Sequence, residues 1–165
     1  MSANAGFASW CMAIVDAIDS AADDLISLSK YIHQHPEVAM QERQSSGACA
    51  EFLQTRGFDV RRSVAELPTA FRAETGSGGH CVAFLSEYDA LPGVGHGCGH
   101  NLIAIAGIGA GIGLKSVLPC VAGRVRVYGT PAEEAIGGKA IMVEAGEFEG
   151  VDVGLGAHPG THEAV

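Results

Sequence analysis

The stretch that decides the architecture spans residues 81–101 and reads CVAFLSEYDALPGVGHGCGHN. It opens with an apolar run at 81–85, which is typical of a strand buried on both faces. Glycine then occupies every second position from 93 to 99, which predicts a loop. The apolar residues from 102 to 118 predict a helix that ends before Pro119. A buried strand, a glycine-rich loop and a helix in this order form the first part of a crossover unit in an α/β sheet.

Strands and helices also alternate on both sides of this stretch. Apolar periodicity predicts helices over 11–34, 41–56 and 137–145, and strands over 58–64, 70–74, 125–128 and 151–157. The predicted fold is therefore α/β, with a mixed, mostly parallel sheet flanked by helices, in a single domain over residues 1–165. The chain ends at 161–165, just past a predicted strand, without an element that closes the sheet.

Composition narrows the possible partners and the cellular compartment. The net charge of −9 disfavours nucleic acid and anionic membrane surfaces as partners. The longest apolar run, residues 102–114, is shorter than the roughly 20 residues that a membrane-spanning helix needs. The five cysteines are odd in number and contain no Cys-x-x-Cys pair, which favours a reducing compartment over a disulfide framework. With no basic leader segment, the sequence predicts a cytoplasmic protein.

The glycine-rich loop carries three side chains suited to metal binding. His96, Cys98 and His100 alternate with glycines. Glycine lets the backbone wrap closely around a small ligand, and imidazole and thiolate are preferred ligands of zinc and other transition metals. The alternative interpretation is a flexible loop with surface histidines and one buried cysteine.

Ionisable side chains follow three predicted strands at their carboxyl ends. Glu87 and Asp89 follow the first strand, Glu133 and Glu134 the second, and His158 the third. Ligands of open α/β sheets bind at this edge, so these side chains are candidates for one site. One carboxylate of the adjacent pair could bind a metal while the other faces an attacking water. Taken alone, the acid pair also fits a solvated helix start.

Several of these residues also have a purely structural interpretation. Asp89 either orients an imidazole ligand or serves as a turn residue before Pro92. A surface carboxylate explains Glu87 equally well. His33 and His35 close the first predicted helix, where a histidine interacts favourably with the helix dipole.

Taken together, four ordered motifs resemble one protein family. They are residues 84–92, 95–101, 129–134 and 157–159, and they closely resemble metallopeptidase family twenty, with the His33–Glu37 segment resembling its first-helix signature. Within that family the chain looks most like the branch of hippurate hydrolases, auxin-conjugate amidohydrolases and aminobenzoyl-glutamate hydrolases. The residues of these motifs look most like those of the β-alanyl-lysine type of dipeptidase.

The resemblance implies both a chemistry and a set of site residues. It implies a phosphorylase/hydrolase-like, zinc-peptidase type of catalytic domain that hydrolyses amide bonds in N-acyl amino acids or dipeptides. The cofactors implied are two divalent metal ions, zinc slightly favoured over manganese because a cysteine thiolate prefers zinc. The roles carried over are metal ligand for Cys98, His100, Glu134 and His158, general base for Glu133, and a supporting carboxylate beside the metals for Asp89.

The chain also departs from the family pattern. Family members are longer, with an inserted lid domain that mediates dimerisation and a further histidine ligand near the carboxyl terminus. We therefore expect residues 1–165 to be the N-terminal part of a catalytic domain, with homodimerisation only in the full-length protein. The alternative function is a truncated, non-catalytic metal-binding or regulatory fragment. A redox or structural zinc protein has less support, because paired cysteines are lacking.

Overall fold

The protein is built on a five-stranded sheet flanked by helices. A computed structural model describes residues 3–160, so the chain end at 161–165 lies outside the described residues. The helices are α1 Ala3–Ser20, α2 Ala22–Gln34, α3 Arg43–Thr55, α4 His100–Lys115 and α5 Gly138–Glu144. The strands are β1 Asp59–Arg62, β2 Phe71–Ser77, β3 His80–Ser86, β4 Gly123–Gly129 and β5 Val153–Leu155, with a 3-10 turn at Val64–Glu66.

The sheet is mixed, as predicted, and its strand order is β1-β2-β4-β3-β5. The β3–β4 and β3–β5 pairs are parallel, whereas β1–β2 and β2–β4 are antiparallel. The expectation of a mostly parallel sheet was therefore wrong for half of the pairings. The reason is the short connection at residues 78–79, which reverses the chain between β2 and β3. Because β4 runs parallel to β3, β2 must run against both of them.

Several element boundaries differ from the predicted ones. The predicted helix 11–34 is two helices that break at Ala21, next to a hydroxyl bond from Ser20 to the carbonyl oxygen of Asp16 at 2.7 Å. Such a bond competes with the regular helical ladder and bends helices. Strand β2 extends beyond the predicted end at residue 74. Helix α4 begins at His100 instead of residue 102, so this histidine lies in the first helical turn.

Glycines in α4 allow this helix to lie directly against the sheet. A Cβ atom added at Gly107 would lie 2.5 Å from both the carbonyl oxygen of Leu85 and the hydroxyl oxygen of Ser86. At Gly111 the added atom would lie 2.4 Å from a methyl group of Val127. The helix is thus fitted to the backbone of β3 and to a side chain of β4. Although α4 is apolar, no helix within residues 3–160 has both the length and the apolar character to cross a membrane.

Replacing Gly107 by alanine is expected to lower the free energy of unfolding by about 1–3 kcal/mol, because the added methyl group overpacks a rigid backbone contact. Gly47→Ala in α3 is the matched control, since no described atom lies within 4 Å of its added Cβ. There the better helix propensity of alanine should raise stability by up to about 1 kcal/mol. Urea unfolding measures both changes, and equal effects of the two substitutions would contradict this packing.

The register of β3 and β4 places the candidate carboxylates at one edge of the sheet. Ser86 and Gly129 are register partners at the ends of the parallel strands β3 and β4. The Thr130 amide then donates to the Ser86 carbonyl oxygen at 2.9 Å, so the two chains leave the sheet side by side. The acidic segments after β3 and β4 therefore start from adjacent points, as the strand-end pattern predicted.

Candidate metal centre

His100 lies at the centre of the candidate site. Its side chain is 1% exposed, because it projects from the first turn of α4 beneath the strand ends. Gly99 precedes the helix at a φ of 78°, in the left-handed region that favours glycine. Within the described residues, the Nε2 atom of His100 is buried without a hydrogen-bond partner. A buried, unsatisfied nitrogen of this kind is costly unless a ligand completes it.

Asp89 fixes the orientation of the His100 ring. The Nδ1 atom lies 2.9 Å from a carboxylate oxygen of Asp89 and 2.8 Å from its carbonyl oxygen. The other carboxylate oxygen accepts the Glu134 amide at 3.1 Å. Burial opposes the charge of Asp89, but these bonds lower its pKa overall, so it stays ionised. With Nδ1 held by Asp89, the lone pair of Nε2 is the one available to a metal.

Three carboxylates surround the free Nε2 atom of His100. The distances from this nitrogen are 3.5 Å to Glu87, 3.8 Å to Glu134 and 3.9 Å to Glu133. Burial of His100 disfavours its imidazolium form, yet Asp89 and Glu87 together raise its pKa. In the metal-free protein a proton therefore competes for this site, and metal affinity should increase with pH.

Within residues 3–160, potential metal donors form two groups that share His100. One group is Cys98, His100 and Glu134, and the other is Glu87, His100 and Glu133. The donor atoms within each group lie within 4.8 Å of one another. The pKa of the Cys98 thiol is raised. The main cause is a hydrogen bond with Glu134, and desolvation and nearby carboxylates contribute less. A bound divalent ion would satisfy the orphaned Nε2 atom, and this mixture of thiol, imidazole and carboxylate suits zinc.

His158 lies beside these groups but is not a member of either. Its ring centroid is 5.9 Å from that of His100, at an interplanar angle of 86°. The side chain is exposed, and its Nδ1 atom lies 2.7 Å from the carbonyl oxygen of Pro159. The third strand end therefore reaches the site, while the role of His158 as a ligand stays a prediction.

The other histidines singled out from the sequence lie outside both donor groups of the described chain. His33 and His96 stack with ring centroids 6.2 Å apart, and His35 bonds the carbonyl oxygen of Tyr31 through Nδ1 at 2.7 Å. Burial lowers the pKa of His96 and so favours its neutral form. These contacts agree with the structural interpretation of His33 and His35.

Glu87 belongs to the site more closely than sequence reasoning indicated. The residue is 7% exposed, and one oxygen pairs with the ammonium group of Lys139 while the other faces His100. It stands two residues before Asp89, and this spacing was the available signal, because alternate residues of an extended chain share a face. Lys139 was missed because nothing in the sequence links α5 to the end of β3.

Asp89→Asn is expected to weaken zinc binding by about 10- to 100-fold, because the amide no longer enforces the ring orientation and basicity of His100. Isothermal titration of the metal-free protein measures the change. Asp152→Asn is the control, since Asp152 accepts the Cys81 amide at 2.7 Å near the opposite end of β3. Equal zinc affinity in wild type and Asp89→Asn would show that this contact does not prepare the ligand.

Comparison with known proteins finds similarity to hydrolases, although no protein-family model matches the chain. It is 44% identical over 163 residues to the Xaa-Arg dipeptidase of Mus musculus and 38% identical over 165 residues to one of the polypeptides of the Escherichia coli p-aminobenzoyl-glutamate hydrolase. These matches cover 90% and 88% of the chain, but only 38% and 34% of the relatives. The chain thus spans little more than a third of the length of these relatives.

Solved structures show the same fold. A Bacillus subtilis protein, YxeP, described as a dinuclear metal-binding peptidase from the M20 family, matches with a TM-score of 0.75 and 27% identity. That match covers 86% of this chain and 44% of the other. Human carnosine dipeptidase 1 matches with a TM-score of 0.61 at 16% identity, covering 87% of this chain and 40% of the other, and so supports the fold alone. The predicted fold class is confirmed.

Proposed function

We propose that this chain, whose sequence and fold are those of the N-terminal portion of M20-family peptidases, carries the metal centre of an amide-bond hydrolase. The observation that carries the proposal is the buried, unpartnered Nε2 atom of His100, surrounded by carboxylates from two strand ends in the described structure. The relatives are hydrolases, which agrees with this chemistry. The substrate class proposed is N-acyl amino acids or dipeptides.

The chemistry assigns a different task to each side chain. Cys98, His100 and Glu134 would hold a divalent ion, with His158 joining them after a rotation of its exposed ring. When bound, such ions polarise the scissile carbonyl and make water a better nucleophile. Glu133, whose side chain is 36% exposed, can accept the proton of the attacking water and pass it to the leaving nitrogen. Asp89 keeps His100 in the ligand tautomer.

Two ions are proposed per site, because YxeP is described as dinuclear. Within the described structure, His100 offers one free nitrogen and so would bind one of them. Zinc is slightly favoured over manganese through the thiol of Cys98. The net charge of −9 argues against nucleic acid and membrane surfaces as partners. A cytoplasmic location, and a homodimer formed through a lid domain of a longer protein, remain predictions.

A second candidate function is a metal-binding or regulatory chain that does not turn over substrate. It is favoured by the openness of the centre within the described structure. Glu133 and Glu134 are 36% and 29% exposed, and His158 is also exposed, so water reaches the donors. Exclusion of bulk water from the site favours catalysis, so this exposure favours the candidate that does not turn over substrate.

A hydrolysis screen separates the two candidates. Zinc-loaded and manganese-loaded protein would be incubated with dipeptides ending in arginine or lysine, p-aminobenzoyl-glutamate and N-acetyl amino acids, with release of free amine as the readout. The proposal expects hydrolysis that a chelator stops and added metal restores. Metal binding without hydrolysis of any of these compounds would favour the regulatory candidate.

A further inference from the structure

Glu42 is a buried carboxylate that the sequence did not single out. It precedes α3 and is 0% exposed, yet its contacts lie at the candidate metal centre. One oxygen accepts the Thr69 hydroxyl at 2.8 Å, and the other accepts the Ala132 amide at 2.9 Å. A carboxylate is costly to bury, so both of its oxygens are engaged by donors.

Ala132, whose amide donates to Glu42, has a strained backbone conformation. Ala132 has a φ of 57°, in the left-handed region that residues with a Cβ rarely adopt, and it is fully buried. Glu133 and Glu134 follow directly. The Ala132 amide, one residue before Glu133, is held by Glu42, whereas the Glu134 amide, one residue after it, is held by Asp89 at 3.1 Å. Together the two carboxylates fix the backbone from which both acids project.

A second chain of contacts joins Glu42 to the end of β3. The carbonyl oxygen of Thr69 accepts the Tyr88 hydroxyl at 2.5 Å, and Tyr88 is fully buried between Glu87 and Asp89 in sequence. Glu42 thus connects the segment after β4 with the segment after β3. These are the two segments that supply the carboxylates around His100.

We propose that Glu42 is a positioning residue, which sets the backbone of Ala132 so that Glu133 and Glu134 face His100. The inference rests on the proposed function, because its consequence is a metal centre assembled with the correct spacing. A residue that only stabilised the fold would not affect metal affinity beyond its effect on overall stability.

The test compares Glu42→Met, which removes both acceptors at similar volume, with Glu42→Gln, which keeps one. In metal-free Glu42→Met we expect the Ala132 amide to exchange its hydrogen about tenfold faster or more, as followed by NMR. Zinc affinity should fall by about 10- to 100-fold, as for other groups that orient ligands. Glu42→Gln should restore part of both properties, because its carbonyl oxygen can still accept the Ala132 amide.

Two further variants keep the inference falsifiable. Leu53→Ala creates a cavity in the buried core of α3, lowering overall stability without touching the acidic segment, and should leave zinc affinity unchanged. Thr69→Val removes only the hydroxyl donor to Glu42 and gives a milder test if Glu42→Met does not fold. Unchanged amide exchange and zinc affinity in Glu42→Met, or an equal loss in Leu53→Ala, would overturn the inference. Because exchange is measured without metal, absence of zinc binding in the wild type would count against the proposed function alone.

Discussion

Replacing His100 by alanine is expected to reduce zinc affinity by at least about 100-fold, a larger loss than removal of a supporting group produces. The reason is that His100 is shared by both groups of potential donors in the described structure. Its loss would therefore remove a donor from whichever group holds the ion, whereas loss of Cys98 would remove a donor from one group. Isothermal titration and elemental analysis of dialysed protein measure the affinity and the number of ions retained.

The control for this substitution is His80→Ala. His80 lies at the opposite end of β3 from the site, and its side chain is 91% exposed. It should leave the bound metal unchanged. Circular dichroism and urea unfolding of His100→Ala are needed alongside, because alanine leaves a cavity at a fully buried position. Folded His100→Ala that binds zinc as tightly as the wild type would exclude His100 as the central ligand.

Glu133→Gln is expected to lower kcat by about 100- to 10,000-fold on any substrate that the hydrolysis screen identifies. The amide keeps the size of the side chain but cannot accept the proton of the attacking water. Zinc affinity should change little, because Cys98, His100 and Glu134 remain as a complete donor group. Steady-state kinetics and zinc titration on the same preparation separate the two effects.

Glu144→Gln is the matched control, since it makes the same chemical change at an exposed position on α5. It should retain wild-type kinetics. If Glu133→Gln lost zinc in proportion to its activity, Glu133 would be a ligand of the group formed with Glu87 and His100 instead of a general base. Wild-type kcat in Glu133→Gln would remove Glu133 from the mechanism altogether.

The parts of the fold set by local patterns were predictable from the sequence. The apolar run at 81–85 and the glycine-rich loop correspond to β3 and the loop after it, and most of the predicted helix 102–118 lies in α4. The strand-end pattern also brought Asp89, Glu133 and Glu134 to one edge, because parallel strands end together. The resemblance to metallopeptidase family twenty was confirmed by relatives and by solved structures.

The parts set by long-range contacts were not predictable from periodicity. Glu42 and Ala132 are separated by 90 positions in sequence, and no local pattern joins them. The sequence left Glu87 open between a site residue and a surface carboxylate, because its pairing with Lys139 depends on a helix more than 50 residues away. The antiparallel orientation of β2 depends on the chain reversal at residues 78–79 and on the insertion of β4 between β2 and β3. Neither can be read from local periodicity.

Cobalt titration tests most directly whether Cys98, His100 and Glu134 together hold a divalent ion. Cobalt occupies zinc sites, and a bound thiolate adds a charge-transfer absorption band that is absent from imidazole and carboxylate complexes. We predict that the metal-free wild type develops this band on titration, that zinc displaces it, and that Cys98→Ser lacks it while remaining folded. A folded wild-type protein that develops no such band would contradict the proposed metal centre.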